Sequence, residues 1–214
     1  MVRFITFEGG DGSGKTTQIR RLEEYLKSNG LSCVVTCQPG GTSLGQMIRK
    51  MLLEVGAAPI ATQAELFLYL ADRAQHVFEI IAPALEKGEI VLCDRYTDST
   101  LAYQGYGRGL DLKILRDLNA IANGGVQPGL TLLFDCPVKI GLGRAAKRQA
   151  VTGVNAIKED RFEREQADFH KKVRAGFLDL ARGEAERFRV IDATQSAERI
   201  AAEVRTIIDR ELGL

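Results

Sequence analysis

The chain has 214 residues, 45% hydrophobic and 27% charged, and its 29 Lys and Arg nearly balance 28 Asp and Glu for a net charge of +1. This is globular usage, which excludes a disordered or collagen-like chain and a polybasic binder that relies on bulk charge. The length suits one compact domain, no apolar run approaches the roughly 18 residues of a membrane-spanning helix, and Met1 to Gly9 lacks the order of a secretory leader. A soluble cytoplasmic protein with neither a membrane nor a nucleic-acid partner is expected.

Along the chain, short β-rich apolar runs alternate with longer helical periods, the signature of an α/β fold with a parallel sheet. A strand is predicted at Phe4–Phe7, followed by a helix near Thr16–Ser28 that Asn29-Gly30 closes. Cys33–Thr36 reads as the second strand and Leu44–Val55 as the next helix. A long helical period over Gln63–Lys87 ends at Gly88, and Pro83 should kink or break it. Ile90–Cys93, Leu130–Phe134 and Phe188–Ile191 complete five strands. Helices near Asp111–Ala122, Lys139–Ala150, Asp160–Arg182 and Ala197–Leu212 complete the pattern. The strands are nearly continuous apolar runs, as expected where helices cover both faces of the sheet. Lys147 to Glu165 is the least apolar stretch and reads as an excursion from a single domain spanning 1–214.

The four cysteines, Cys33, Cys37, Cys93 and Cys136, form no Cys-x-x-Cys pair, and His76 and His170 lie far from all of them in sequence. Buried reduced thiols are therefore expected, with neither a zinc site nor a disulfide framework.

The strongest motif is Gly9-Gly10-Asp11-Gly12-Ser13-Gly14-Lys15-Thr16, which satisfies Gly-x-x-x-x-Gly-Lys-[Ser/Thr] between a predicted strand and a predicted helix. Glycines let the backbone curl so that successive N–H groups face a phosphate chain, and the following helix adds its positive end. Lys15 supplies a point charge for the β- and γ-phosphates, and the Thr16 hydroxyl can ligate Mg²⁺. Three classes of nucleotide user compete: a small-molecule kinase, a GTP-driven switch and a translocating ATPase. No Asn-Lys-x-Asp for reading guanine is present, and Asp94 is followed by Arg95 where a translocating ATPase usually has an acidic pair. A guanidinium at a strand end beside the phosphate loop suits a phosphate-bearing acceptor, because its planar fork holds phosphate oxygens bidentately.

Several motifs together resemble the bacterial thymidylate kinase family along almost the whole chain. They are Phe7-Glu8-Gly9 through Thr17, Pro39-Gly40-Gly41-Thr42, the string from Asp94-Arg95-Tyr96 through Tyr103-Gln104-Gly105-Tyr106-Gly107-Arg108-Gly109, Asp160-Arg161-Phe162-Glu163 and Ile191-Asp192-Ala193-Thr194-Gln195. The resemblance implies a three-layer P-loop kinase fold with a five-stranded parallel sheet, and transfer of the ATP γ-phosphoryl group to dTMP with Mg²⁺. A homodimer is implied as well. It implies ATP contacts from Gly9, Gly10, Asp11, Gly12, Ser13, Gly14, Lys15, Thr16 and Thr17, with Arg144 near the adenine.

For the acceptor, the resemblance implies Arg49 and Arg95 on the phosphate, Tyr69 stacked on the base and Arg73 at the base edge. Ser99, Thr100 and Gln104 would contact the nucleoside, and Tyr103 would lie against the deoxyribose. Thr16 and Asp94 would hold the metal. Lys147–Glu165 would be a lid over ATP, with Arg148 and Arg161 joining Asp11, Lys15 and Arg95 at the transferring group. Three positions depart from the family pattern: Tyr69 stands where Phe is usual, and Cys37-Gln38 where Arg-Glu is usual. The alternatives are a kinase for another monophosphate such as dUMP and a non-catalytic ATP-binding regulator.

Overall fold

The computed structural model describes residues 2–53, 59–152, 162 and 165–214, residues 148–152 by their backbone alone. In chain order they form β1 (Phe4–Glu8), α1 (Lys15–Ser28), β2 (Cys33–Cys37), α2 (Ser43–Leu53) and α3 (Thr62–His76). A π-turn (Val77–Ile81) leads into α4 (Ala82–Glu86), then β3 (Ile90–Asp94) and α5 (Thr97–Thr100), which runs on as a π-helix (Leu101–Gly107). The remainder is α6 (Leu112–Asn123), β4 (Leu130–Asp135), α7 (Val138–Thr152), α8 (Ala167–Gly183), β5 (Phe188–Asp192) and α9 (Ala197–Leu212).

The five strands pair in parallel in the order β2-β3-β1-β4-β5. One sheet face, carrying Ile5, Phe7, Leu92, Leu132 and Phe134, is covered by Ile19, Leu22 and Leu26 of α1 and by Val204 and Ile208 of α9. Phe7 and Phe134 stack there with ring centroids 5.8 Å apart. Leu133 and Phe188 pack with residues of α2, α3, α6 and α8, while Phe4, Val91 and Cys93 meet Val77, Ile81 and Ala84. The result is the predicted three-layer fold. Connections leaving β1 and β3 head for opposite edges of the sheet, and such a switch point opens a crevice at the strands' carboxyl ends.

The two glycine stops behave as predicted, with Gly30 at φ 74° and Gly88 at φ 77°. Around Pro83 the long helical period changes geometry without being interrupted. Pro83 lies at the start of α4, and the five residues before α4 adopt π geometry, with the Ala82 N–H reaching back to the Val77 carbonyl. The helix expected from Asp160 begins only at Ala167, with Phe162 in a turn before it, while Asp160 and Arg161 lie outside the described residues. The Thr97–Gly107 helix was absent from the predicted elements. Its glycines serve close approach: a Cβ at Gly105 would strike Leu112 and one at Gly107 would strike Phe169. Cys93 and Cys136 are buried, Cys33 and Cys37 are half-buried, and none is disulfide-bonded.

Candidate active site

The phosphate loop leaves β1 at the sheet's carboxyl edge. Gly9, Gly12 and Gly14 all take positive φ (133°, 69° and 94°), which lets the chain curl round the start of α1. At Gly9 a Cβ would collide with the Phe134 carbonyl, and at Gly12 with the Gly141 carbonyl of α7, so the loop lies directly on its neighbours. The Lys15 ammonium folds across the loop and donates to the carbonyls of Gly9 and Gly10, both at 3.0 Å. Burial, and after it the nearby Arg95, pull its pKa down to about 8.

Arg95 follows β3 with φ 69°, the one described non-glycine residue at positive φ. Its guanidinium donates to Asp11 Oδ1 (2.6 Å), the Gly9 carbonyl (3.0 Å) and Ser99 Oγ (3.2 Å), and lies 5.0 Å from the centroid of the Tyr103 ring. Asp11 also accepts from the Tyr103 hydroxyl. Burial alone would raise the Asp11 carboxyl, but Arg95 and Lys15 hold it below the usual carboxylate range. Thr16 donates to Asp94 Oδ2 at 3.0 Å, while Asp94 Oδ1 is buried without a hydrogen bond.

These groups open on a cavity of about 630 Å³. Asp11 through Thr17 line it, together with Arg49, Tyr69, Arg73, Asp94, Arg95, Ser99, Thr100, Tyr103 and Gln104, so residues from four separate chain segments converge. Arg73, 2% exposed, donates to Gln38, Thr100, Asn119 and the Tyr96 carbonyl. Arg49 donates to the Pro39 carbonyl, fastening the loop after β2. Gln104 donates to Glu65 Oε1 at 3.0 Å.

Gly9 and Gly10 lie behind the loop, against a small second hollow. Arg144, expected near the adenine, stands apart from the main cavity and donates to the Ala193 carbonyl at 2.7 Å. Arg161 lies outside the described residues, as do the Arg148 side chain and most of the predicted lid.

Three structural supports of the cavity were not singled out in the sequence. Glu8 is fully buried at the end of β1, where it accepts from the backbone N–H groups of Tyr96 and Ser99 and from the Ser99 hydroxyl. Burial, and then Asp98, push its carboxyl up to about 7. A carboxylate closing an otherwise apolar strand was its visible signal. Arg108 pairs with Glu65 and with Glu165, and its guanidinium faces the rings of Phe162 and Phe169 at 5.3 and 4.8 Å. Phe162 forms part of the cavity wall with Tyr69 and Tyr103. Neither contact could be read from spacing, because the partners come from α3, the π-helix and the segment before α8.

The chain matches the family described as Thymidylate kinase over residues 7–204. It is 54% identical to the thymidylate kinase of Desulfovibrio desulfuricans, over 98% of this chain and 96% of that one. To the thymidylate kinase of Solidesulfovibrio magneticus it is 53% identical, over 98% of this chain and 100% of that one. It is also similar to the crystal structure of thymidylate kinase from Ehrlichia chaffeensis, with a TM-score of 0.74 and 34% identity over 96% of this chain and 97% of that one. A phosphate loop and an arginine-bearing strand end facing one cavity, on a scaffold matched almost from end to end, lead to one assignment: this chain belongs to the thymidylate kinase family.

Proposed function

We infer that the chain transfers the γ-phosphoryl group of ATP to the phosphate of dTMP, giving ADP and dTDP. The observation that carries this reading is the single cavity onto which both Lys15 and Arg95 open, with Tyr69, Arg73 and Gln104 on its wall. Two anions must meet there, and cations on either side of the meeting point offset their repulsion. The acceptor phosphate is already largely ionised near neutral pH, so no protein base is needed.

Each described side chain then has a role its surroundings support. The loop N–H groups and Lys15 hold the ATP phosphates. Arg95, braced by Asp11 and Ser99, grips the acceptor phosphate together with Arg49. Tyr69 stacks on thymine, Arg73 and Gln104 meet the base edge with Thr100 beside them, and Tyr103 lies against the deoxyribose. Arg144, Arg148 and Arg161 supply further positive charge from the ATP side, with 147–165 as lid.

Thr16 Oγ1 and Asp94 are the residues that would hold Mg²⁺. An unbonded buried carboxylate oxygen beside a hydroxyl fits a hard cation that takes its remaining ligands from phosphates and water. When bound, the metal neutralises phosphate oxygens as the transfer proceeds. Among the described residues no group of three or more His, Cys, Asp or Glu could hold a metal ion. No described helix is long and apolar enough to cross a membrane. Exposed Phe67, Phe78, Ile114 and Ile121 give α3, its π-turn and α6 apolar surface suited to a homodimer, and we place the protein in the cytoplasm.

Coupled ADP release over a panel of nucleoside monophosphates tests the reading. dTMP should be preferred over dUMP by roughly tenfold or more, the usual worth of a methyl group in a fitted pocket. Lys15→Ala should abolish turnover. A preference for dUMP, or no output with any acceptor, would overturn the assignment.

A further inference from the structure

We propose that Gln38 is a positioning residue of the acceptor site, its side-chain amide wedged between Arg73 and His76 so that it orients the guanidinium and holds the imidazole as the Nε2–H tautomer. The proposal rests on the acceptor-site reading given above. Gln38 is 3% exposed, and its two amide atoms have one partner each. Arg73 Nε lies 3.0 Å from Gln38 Oε1, and His76 Nδ1 lies 2.9 Å from Gln38 Nε2.

Elementary donor accounting assigns every proton in this chain. Arginine has no acceptor atom, so the amide atom facing it must be the oxygen. The amide nitrogen then faces His76, and since it can only donate, Nδ1 must carry a lone pair. The ring proton is left to Nε2, which donates to Thr36 Oγ1 at 2.5 Å. An imidazolium would set an N–H against the amide N–H₂, so the ring is held neutral. Burial, and after it Arg73, bring the His76 pKa down to about 4, in the same direction. The turn above is seated on this ring: a Cβ at Gly41 would run into His76 and into the Thr36 hydroxyl.

The consequence for the cavity lies with Arg73. All four of its hydrogen-bond partners (Gln38, Thr100, Asn119 and the Tyr96 carbonyl) are neutral. A carboxylate at position 38 would pair with the guanidinium and accept a hydrogen bond from Nδ1–H, reversing the second bond. With the amide there, a neutral acceptor holds Arg73 in place at the cavity wall.

The test uses the full ¹⁵N-labelled chain and its long-range ¹H–¹⁵N imidazole spectrum. The two histidines are told apart by a His170→Asn variant. His76 should show an unprotonated Nδ1 and a protonated Nε2, and Gln38→Glu should move the proton to Nδ1. Gln38→Ala should raise the dTMP KM about tenfold while kcat and the ATP KM stay within about twofold, and the isosteric Gln38→Glu should bring the dTMP KM back to within about threefold of wild type. A wild-type Nδ1–H signal, an unmoved dTMP KM in Gln38→Ala, or a fall in kcat alone would overturn the proposal. A wild-type enzyme with no dTMP turnover would instead overturn the parent reading, and the spectrum would still report on the amide–imidazole contact.

Discussion

Arg95 combines two demands at one position. Its guanidinium binds Asp11, Gly9 and Ser99, while its backbone sits at φ 69°, where an L side chain costs about 1 kcal/mol relative to glycine. Arg95→Ala and Arg95→Gly should both raise the dTMP KM by about a hundredfold and leave the ATP KM nearly unchanged. Urea unfolding should nevertheless find the glycine variant about 1 kcal/mol more stable than the alanine one. Equal stabilities would show that the backbone there is unstrained.

Glu8 offers a test in pH. Its carboxyl is raised from 4.5 to about 7, so between those values the folded chain keeps a proton that the unfolded chain releases. The stability Glu8 contributes is therefore full below pH 4.5 and lost as pH climbs to 7. Glu8→Gln, permanently uncharged, lacks that slope. Relative to wild type it should gain about 1–3 kcal/mol in unfolding free energy between pH 4.5 and 7. A constant difference across the range would refute a raised Glu8. At this scale the phosphate loop and the Asp94-Arg95 pair were legible because backbone sterics and phosphate chemistry leave few residue choices. Gln38 was visible only as a departure from the family pattern, and the roles of Glu8 and Arg108 were not legible, because all three depend on partners that only the fold assembles.

Among the elements, Arg108 at the end of the π-helix ties α3 to the segment entering α8. Glu65, 1% exposed, draws on Arg108 for positive charge and accepts from Gln104, which lines the cavity. Arg108→Leu should destabilise the chain by about 3 kcal/mol and raise the dTMP KM, whereas adding Glu65→Gln should restore part of the stability, since the buried charge goes with its partner. A double variant no more stable than the single one would argue against the pairing. The strands followed from apolar runs, whereas their order β2-β3-β1-β4-β5 was not read from the sequence. The helix over Thr97–Gly107 stayed hidden because its threonines and glycines are poor helix formers, and its support comes from Leu112, Phe169 and Tyr106 packing across helices. Pro83 announced a break, but the π-turn that absorbs it needed the coordinates.

For the whole molecule, the exposed apolar residues of α3, its π-turn and α6 predict self-association. Sedimentation equilibrium should return about 47 kDa, twice the 23.5 kDa chain, and a charge at Phe78 or Ile121, 76% and 78% exposed, should bring the mass back to one chain. A monomer at micromolar concentration would place those residues in ordinary solvent. The sheet itself leaves one last consequence at its carboxyl edge. The Gly9 carbonyl accepts from the Lys15 ammonium and from the Arg95 guanidinium, each at 3.0 Å. In the proposed reaction these are the donor-side and acceptor-side grips, so a shift of the Gly9 peptide is expected to carry both reactants the same way. The distance the phosphoryl group must cross is then expected to vary less than the position of the loop itself.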